Sequence, residues 1–141
     1  MFKIIKNIII VSIMSIVFYS NTYSQSIELR EAFKNSKSSY KMGNLLEAIK
    51  YTNRAIELSK IDFGINHYYT ATLIANLGTI QYEKSLYKDS ELSFKESLTI
   101  RKKVLETDHE DIAETLNYIA LNNRKLNQFE QAINYHNEAL L

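Results

Sequence analysis

The sequence predicts an all-α protein: a right-handed solenoid of three stacked helical hairpins. Its 141 residues include no Pro and only three Gly, so little in the chain interrupts a helix. From residue 27 onward, small and apolar residues recur with a period of 42. Inside each period the apolar positions follow helical spacing.

The chain begins with a different material. Lys3 and Lys6 precede an uncharged apolar run from Ile8 to Phe18, and the small residues Thr22 and Ser24 flank Tyr23. Basic, apolar, then small-x-small is the order of a secretory signal. Residues 1–24 are therefore expected to be a signal peptide, with Gln25 as the new terminus and an exported, periplasmic or extracellular product. The apolar run is shorter than the roughly 18–20 residues a membrane span needs. The alternative is a membrane anchor through residues 4–19. With no Cys in the chain there is no disulfide, no thiolate metal site and no lipid-modified Cys at the cleavage point. The formal net charge is +1. Without residues 1–24, 15 basic residues face 16 acidic ones, so no overall bias points to nucleic acid or to a membrane surface.

The repeating part divides at about 27–65, 66–107 and 108–141. Ala48, Ser90 and Ala132 are 42 apart, as are Ala55, Ser97 and Ala139, and Ser36, Gly78 and Ala120, all small. Ile56, Leu98 and Leu140 are aliphatic at the same spacing, and Leu45, Tyr87 and Phe129 are large and apolar. Gly43, Ser85 and Asn127 suit a turn. Each unit thus reads as helix, turn, helix. In the middle unit Ala71, Ile74, Leu77, Gly78 and Ile80 mark the first helix. Ser85 to Tyr87 mark the turn, and Ser90, Phe94, Ser97, Leu98, Arg101 and Leu105 the second helix. Gly, Ala or Ser is needed where two helix axes approach closely. A single hairpin cannot bury its apolar face, whereas stacked hairpins share a continuous core.

These residues resemble the tetratricopeptide repeat family. The middle unit, ANLGTIQYEKSLYKDSELSFKESLTIR, carries the Leu77-Gly78 pair, Tyr87, Ser90, Phe94 and Ser97. ETLNYIALNNRKLNQFEQAINYHNEAL fits the same frame with Ala120, Phe129, Ala132 and Ala139, and SYKMGNLLEAIKYTNRAIEL with Gly43, Ala48 and Ala55. The period of 42, longer than the usual 34, is similar to the kinesin-light-chain-like class. That class often has His-Pro before the first helix; here His67 and His109 are followed by Tyr68 and Glu110. The resemblance covers about residues 27–141.

The resemblance implies a noncatalytic module that needs no cofactor and binds a protein or peptide partner in a concave groove lined by the first helix of each hairpin. It places Tyr40, Tyr82 and Arg124 there, one per repeat, with Arg30, Lys37, Lys41, Thr79, Glu83, Asn117 and Lys125. Such a surface suits an extended peptide, particularly one with acidic groups. It does not reproduce the Lys/Asn set with which some family members clamp a C-terminal carboxylate. An alternative implied by the same resemblance is the sensory N-terminal segment of a membrane-bound regulator, of histidine kinase or transcription factor type.

Other motifs have plainer readings. ETDHEDIAE, residues 106–114, offers carboxylates and a His for a metal, but has no second His at helical spacing and no calcium-loop pattern. It reads as a helix start capped by Asp108, as Asn66 would cap 42 residues earlier, or by Thr107 in a box with Glu110. Asp62-Phe63-Gly64 lacks every other kinase element and reads as a connection. His136 stands where the middle unit has Phe94 and reads as a structural His. Arg101-Lys102-Lys103 reads as a solvated helix face. There is no phosphate-binding loop, and nothing marks a hydrolase triad.

Overall fold

A computed structural model of the protein describes residues 27–140. The expected signal peptide at 1–24, the alternative anchor at 4–19 and Leu141 lie outside the described residues. Among the described residues there are six helices and no strand. They are α1 (27–41), α2 (Leu45–Asp62), α3 (Tyr68–Glu83), α4 (Tyr87–Val104), α5 (Glu110–Lys125) and α6 (Phe129–Glu138). None of them is long and apolar enough to cross a membrane. Each helix packs on the next, which is the layout of stacked hairpins.

The three turns inside the hairpins share one construction. Gly43, Ser85 and Asn127 take φ of 77°, 63° and 61°. The amides that follow, on Asn44, Leu86 and Gln128, donate to the carbonyls of Ser39, Gln81 and Asn123 at 2.9, 2.9 and 2.8 Å. Left-handed backbone followed by this long return bond closes the first helix and satisfies its last carbonyls. Three turn-compatible residues at one period therefore produce three equivalent turns.

The small positions do what the spacing predicts. Ser90 Oγ donates to the carbonyl of Gly78 and Ser97 Oγ to that of Ala71, both at 2.8 Å, so α4 lies directly against the backbone of α3. A Cβ on Gly78 would stand 2.8 Å from the Phe94 ring. Phe94 fills the space left by the missing side chain and stacks on Tyr118 of α5, with centroids 4.7 Å apart. One apolar cluster joins Leu29 and Ala32 of α1 to Ile56, Leu58, Ile74 and Leu77. A second joins Phe94 and Leu98 to Ile112, Leu116 and Ile119. Ile56 and Leu98 are 7% and 8% exposed, whereas Leu140, at the same repeat position just past the end of α6, is 85% exposed. The first two lie under a following hairpin; the outer face of α6 is open.

Two local expectations are corrected. Helices α3 and α5 are capped by neither Asn66, Asp108 nor Thr107. Their N-caps are His67 and His109, one residue further on. Nδ1 of His67 accepts from the amide of Tyr69 at 3.2 Å, and Nδ1 of His109 from that of Asp111 at 3.1 Å. The basic run at 101–103 is also not a uniform solvated face. Arg101 is 4% exposed. It stands 42 residues after the buried Ser59, so it points inward, and its guanidinium donates to Asp111 O and Thr115 Oγ1 at 2.7 and 2.6 Å. The Asp111 carboxylate lies 3.6 Å from it. Lys102 and Lys103 are exposed.

Candidate functional site

Helix α1 alternates buried and exposed positions, whereas α3 is exposed only at its two ends, Tyr68 and Glu83; the two helices share a face. A cavity of about 370 Å³ opens between them. On α1, residues 33, 36, 37 and 40 recur at intervals that place them on one side of a helix. Phe33, Ser36, Lys37 and Tyr40 therefore form one wall, and Asn76, Thr79 and Ile80 of α3 form the other. Phe33 and Ile80 make it partly apolar, while Lys37, Asn76 and Thr79 supply donors and acceptors. Lys37 also lies over the Phe33 ring, with Nζ 5.5 Å from the centroid.

A shallower recess of about 440 Å³ adjoins it and shares Phe33 and Lys37. It is lined by Arg30, Lys34 and Lys41 as well, all exposed. Residues 30, 34, 37 and 41 recur along one helix face, about one turn apart. None of the four cations forms an ion pair among the described residues. The rim of the cavity on the α1 side is thus uniformly basic.

At the C-terminal end of α1, the Tyr40 hydroxyl donates to Glu83 Oε1 of α3. That bond holds the two helices together beside the cavity. It pushes the phenol up to about 12, because ionisation would lose the hydrogen bond; burial, the charge of Glu83 and Tyr118 add to the shift.

The expected groove residues separate into two groups. Lys37, Tyr40 and Thr79 line the cavity, Glu83 is tied to Tyr40, and Arg30 and Lys41 form the basic rim. The others make contacts elsewhere in the chain. Tyr82 packs edge-on against Tyr87, with centroids 5.4 Å apart. Lys125 lies over the same Tyr87 ring at 5.9 Å. Asn117 Oδ1 is 2.9 Å from Nδ1 of the half-buried His136, joining α5 to α6. Arg124 is exposed on α5 and lines neither recess. Phe33, Lys34, Ser36, Asn76 and Ile80 line the two recesses as well. The signal for Phe33 and Lys34 was their place one helical turn before Lys37.

The acidic stretch at 106–114 forms no ligand cluster. No group of three or more His, Asp or Glu side chains suited to a metal occurs among the described residues. Glu110 and Asp111 occupy the first turn of α5, where carboxylates favour the positive end of the helix dipole. Asp62, Phe63 and Gly64 form the end of α2 and the bend beyond it, with Gly64 at φ 98°.

The tetratricopeptide repeat profile matches residues 36–103 and 86–140. Among curated proteins none matches the chain. Its fold is similar to that in the crystal structure of BtubC (BKLC) from P. vanneervenii, at 17% identity and a TM-score of 0.74, over 79% of this chain and 44% of that one. The chain thus spans less than half the length of that neighbour. It is also similar to the N-terminal domain of stress-induced protein-1 (STI-1) from C. elegans, at 14% identity and a TM-score of 0.69, over 82% of this chain and 84% of that one. The profile match covers most of the six-helix array, and the chain belongs to the tetratricopeptide repeat family, whose domains in general mediate protein–protein interaction.

Proposed function

We propose that this chain is an exported, noncatalytic interaction module that holds a peptide or helix of another protein between α1 and α3. The observation that carries the reading is the joined pair of recesses, about 370 and 440 Å³, meeting at Phe33 and Lys37. An apolar floor with a basic rim suits a segment that buries one apolar side chain and sets acidic groups against Arg30, Lys34 and Lys41. Buried apolar anchors supply affinity and the charged rim supplies steering. No cofactor has a role in this reading.

The test is capture from a cell-envelope extract with the wild-type chain and with a Lys37→Glu, Thr79→Arg double variant. The double variant is expected to lose the partner that the wild type retains. An unchanged set of captured proteins would show that the groove is elsewhere. Sequencing the N-terminus of exported material tests the first part of the proposal; Gln25 is the expected first residue.

A second reading, a sensory segment of a larger membrane-bound regulator, is favoured by the exposed apolar side chains of α6, Phe129 and Ile133. A reading frame that continues past codon 141 into a membrane span supports it; a stop codon there counts against it.

A further inference from the structure

Helix α1 carries four cations that no ion pair among the described residues neutralises. Arg30, Lys34, Lys37 and Lys41 follow one another at steps of four, three and four residues, so they fall within one narrow strip of the helix. At 1.5 Å rise per residue the strip is about 16 Å long, with a cation every ~5.5 Å. The nearby carboxylates are occupied or turned aside. Glu28 pairs with Arg54 of α2 at 3.1 Å, and Glu83 of α3 accepts from Tyr40. Glu31 lies about 100° round the helix from Arg30 and forms no ion pair among the described residues.

Apolar surface borders the strip on its inner side. Phe33 precedes Lys34 by one residue, so it faces about 100° away from it, on the side of the cavity it lines with Tyr40 and Ile80. Lys37 Nζ rests over the Phe33 ring, where strip and cavity meet.

Three kinds of anionic partner meet such a strip differently. A helix laid along α1 presents carboxylates at i, i+4, i+7 and i+11 with the same ~5.5 Å step, so every turn stays in register. One side of an extended peptide advances about 6.7 Å per step and falls about 4 Å out of register by the fourth cation. A flat anionic surface suits a broad basic patch, and here Glu31 borders the strip on one side and the Tyr40–Glu83 pair on the other.

We propose that the partner of the α1–α3 face is an amphipathic α-helix with a stripe of carboxylates at i, i+4, i+7 and i+11. The stripe lies along Arg30, Lys34, Lys37 and Lys41, and a large apolar side chain beside it enters the cavity at Phe33. The inference rests on the reading of that face proposed above and narrows the occupant from any peptide to a helix. Exposed ion pairs contribute little affinity each. The stripe therefore fixes register, while the buried apolar side chain holds the helix.

The test is a fluorescence anisotropy titration of the full chain with three synthetic peptides of about 18 residues, long enough to form a helix. The first carries Glu at i, i+4, i+7 and i+11, with Leu on both flanks of the stripe and a background of Ala and Gln. The second adds two Pro on the face opposite the stripe, which breaks the helix and leaves the acids in place. The third has the composition of the first with Glu at every second position, the register of a strand. The first is expected to bind at least about tenfold more tightly than the second or the third. Lys34→Glu, Lys41→Glu is expected to weaken it about tenfold, because two attractions become repulsions. Lys50→Glu, on the exposed side of α2, is expected to leave it within about twofold. Equal binding of the first two peptides, or tighter binding of the third, would overturn the proposal. If the Lys37→Glu, Thr79→Arg variant abolishes that binding, the reading of the α1–α3 face survives without the helix. Failure of every peptide to bind, or binding indifferent to Lys34 and Lys41, would also overturn it. So would adsorption to vesicles of mixed neutral and anionic phospholipid that the first peptide does not displace.

Discussion

Gly78 shows how much one residue carries. A methyl group there meets the Phe94 ring at 2.8–3.1 Å, closer than ordinary carbon contacts. Helix propensity alone would make Ala about 1 kcal/mol better than Gly. Overpacking against a fully buried ring opposes it and wins, because Phe94 is held between Gly78 and Tyr118 and has nowhere to go. Gly78→Ala is expected to destabilise the fold by about 1–2 kcal/mol, read as a lower urea midpoint at unchanged slope. Tyr40 gives a prediction in pH. Its phenol ionises near about 12 in the fold against 10.0 without it, so the folded state keeps the proton longer. Its contribution to stability is complete below pH 10.0 and is lost as pH rises toward about 12. Tyr68 and Tyr69 are also raised, so absorbance titration is expected to find several tyrosines ionising late, and Tyr40→Phe to remove one of them. The caps were less legible at this scale. Asn and Asp lead the capping preferences, so Asn66 and Asp108 were natural candidates. The loop instead turns into the helix one residue later, and no ranking of residue types reports where a backbone turns.

At the scale of elements, periodicity was a good guide. Gly43, Ser85 and Asn127 mark the turns because each tolerates left-handed backbone or sits where the turn enforces it. Ser90 and Ser97 are small because α4 touches α3 backbone, and their hydroxyls find carbonyls there. Arg101 was hidden by its neighbours. Three cations in a row suggest a solvated face, yet helical spacing turns consecutive residues about 100° apart, and only Arg101 shares the inward position of Ser59. Its bonds to Asp111 and Thr115 tie α4 to the first turn of α5. Removing one partner of a buried ion pair strands the other charge. Arg101→Met is expected to cost about 3 kcal/mol, and adding Asp111→Asn to lower that cost, as measured by urea unfolding. A double variant no more stable than the single would place the Arg101 contribution in packing.

The whole molecule follows from hairpins that bury one another's faces. Leu98 lies beneath Ile112, Leu116 and Ile119, and Leu140 at the same repeat position lies beneath nothing among the described residues. Leu98→Ala is expected to cost about 2–5 kcal/mol, and Leu140→Ala to stay within about 0.5 kcal/mol, compared in parallel denaturant melts. Equal costs would mean that the open face of α6 is covered in solution. The recesses between α1 and α3 were legible only in part. The family resemblance directed attention to the first helix of each hairpin and so to Lys37, Tyr40 and Thr79. It could not show that Tyr82 and Lys125 gather on Tyr87 or that Asn117 meets His136, since those contacts depend on side chains from the second helices.

The central claim is that the face shared by α1 and α3 holds the partner. Its most direct measurement is a fluorescence anisotropy titration of a peptide selected against the wild-type chain. The Lys37→Glu, Thr79→Arg variant is set beside a Lys50→Glu, Lys88→Glu variant altered on the exposed sides of α2 and α4. Groove binding predicts at least a tenfold loss of affinity in the first, about 1.4 kcal/mol, and less than about a twofold change in the second. An unchanged affinity in the first, or a larger loss in the second, would contradict it.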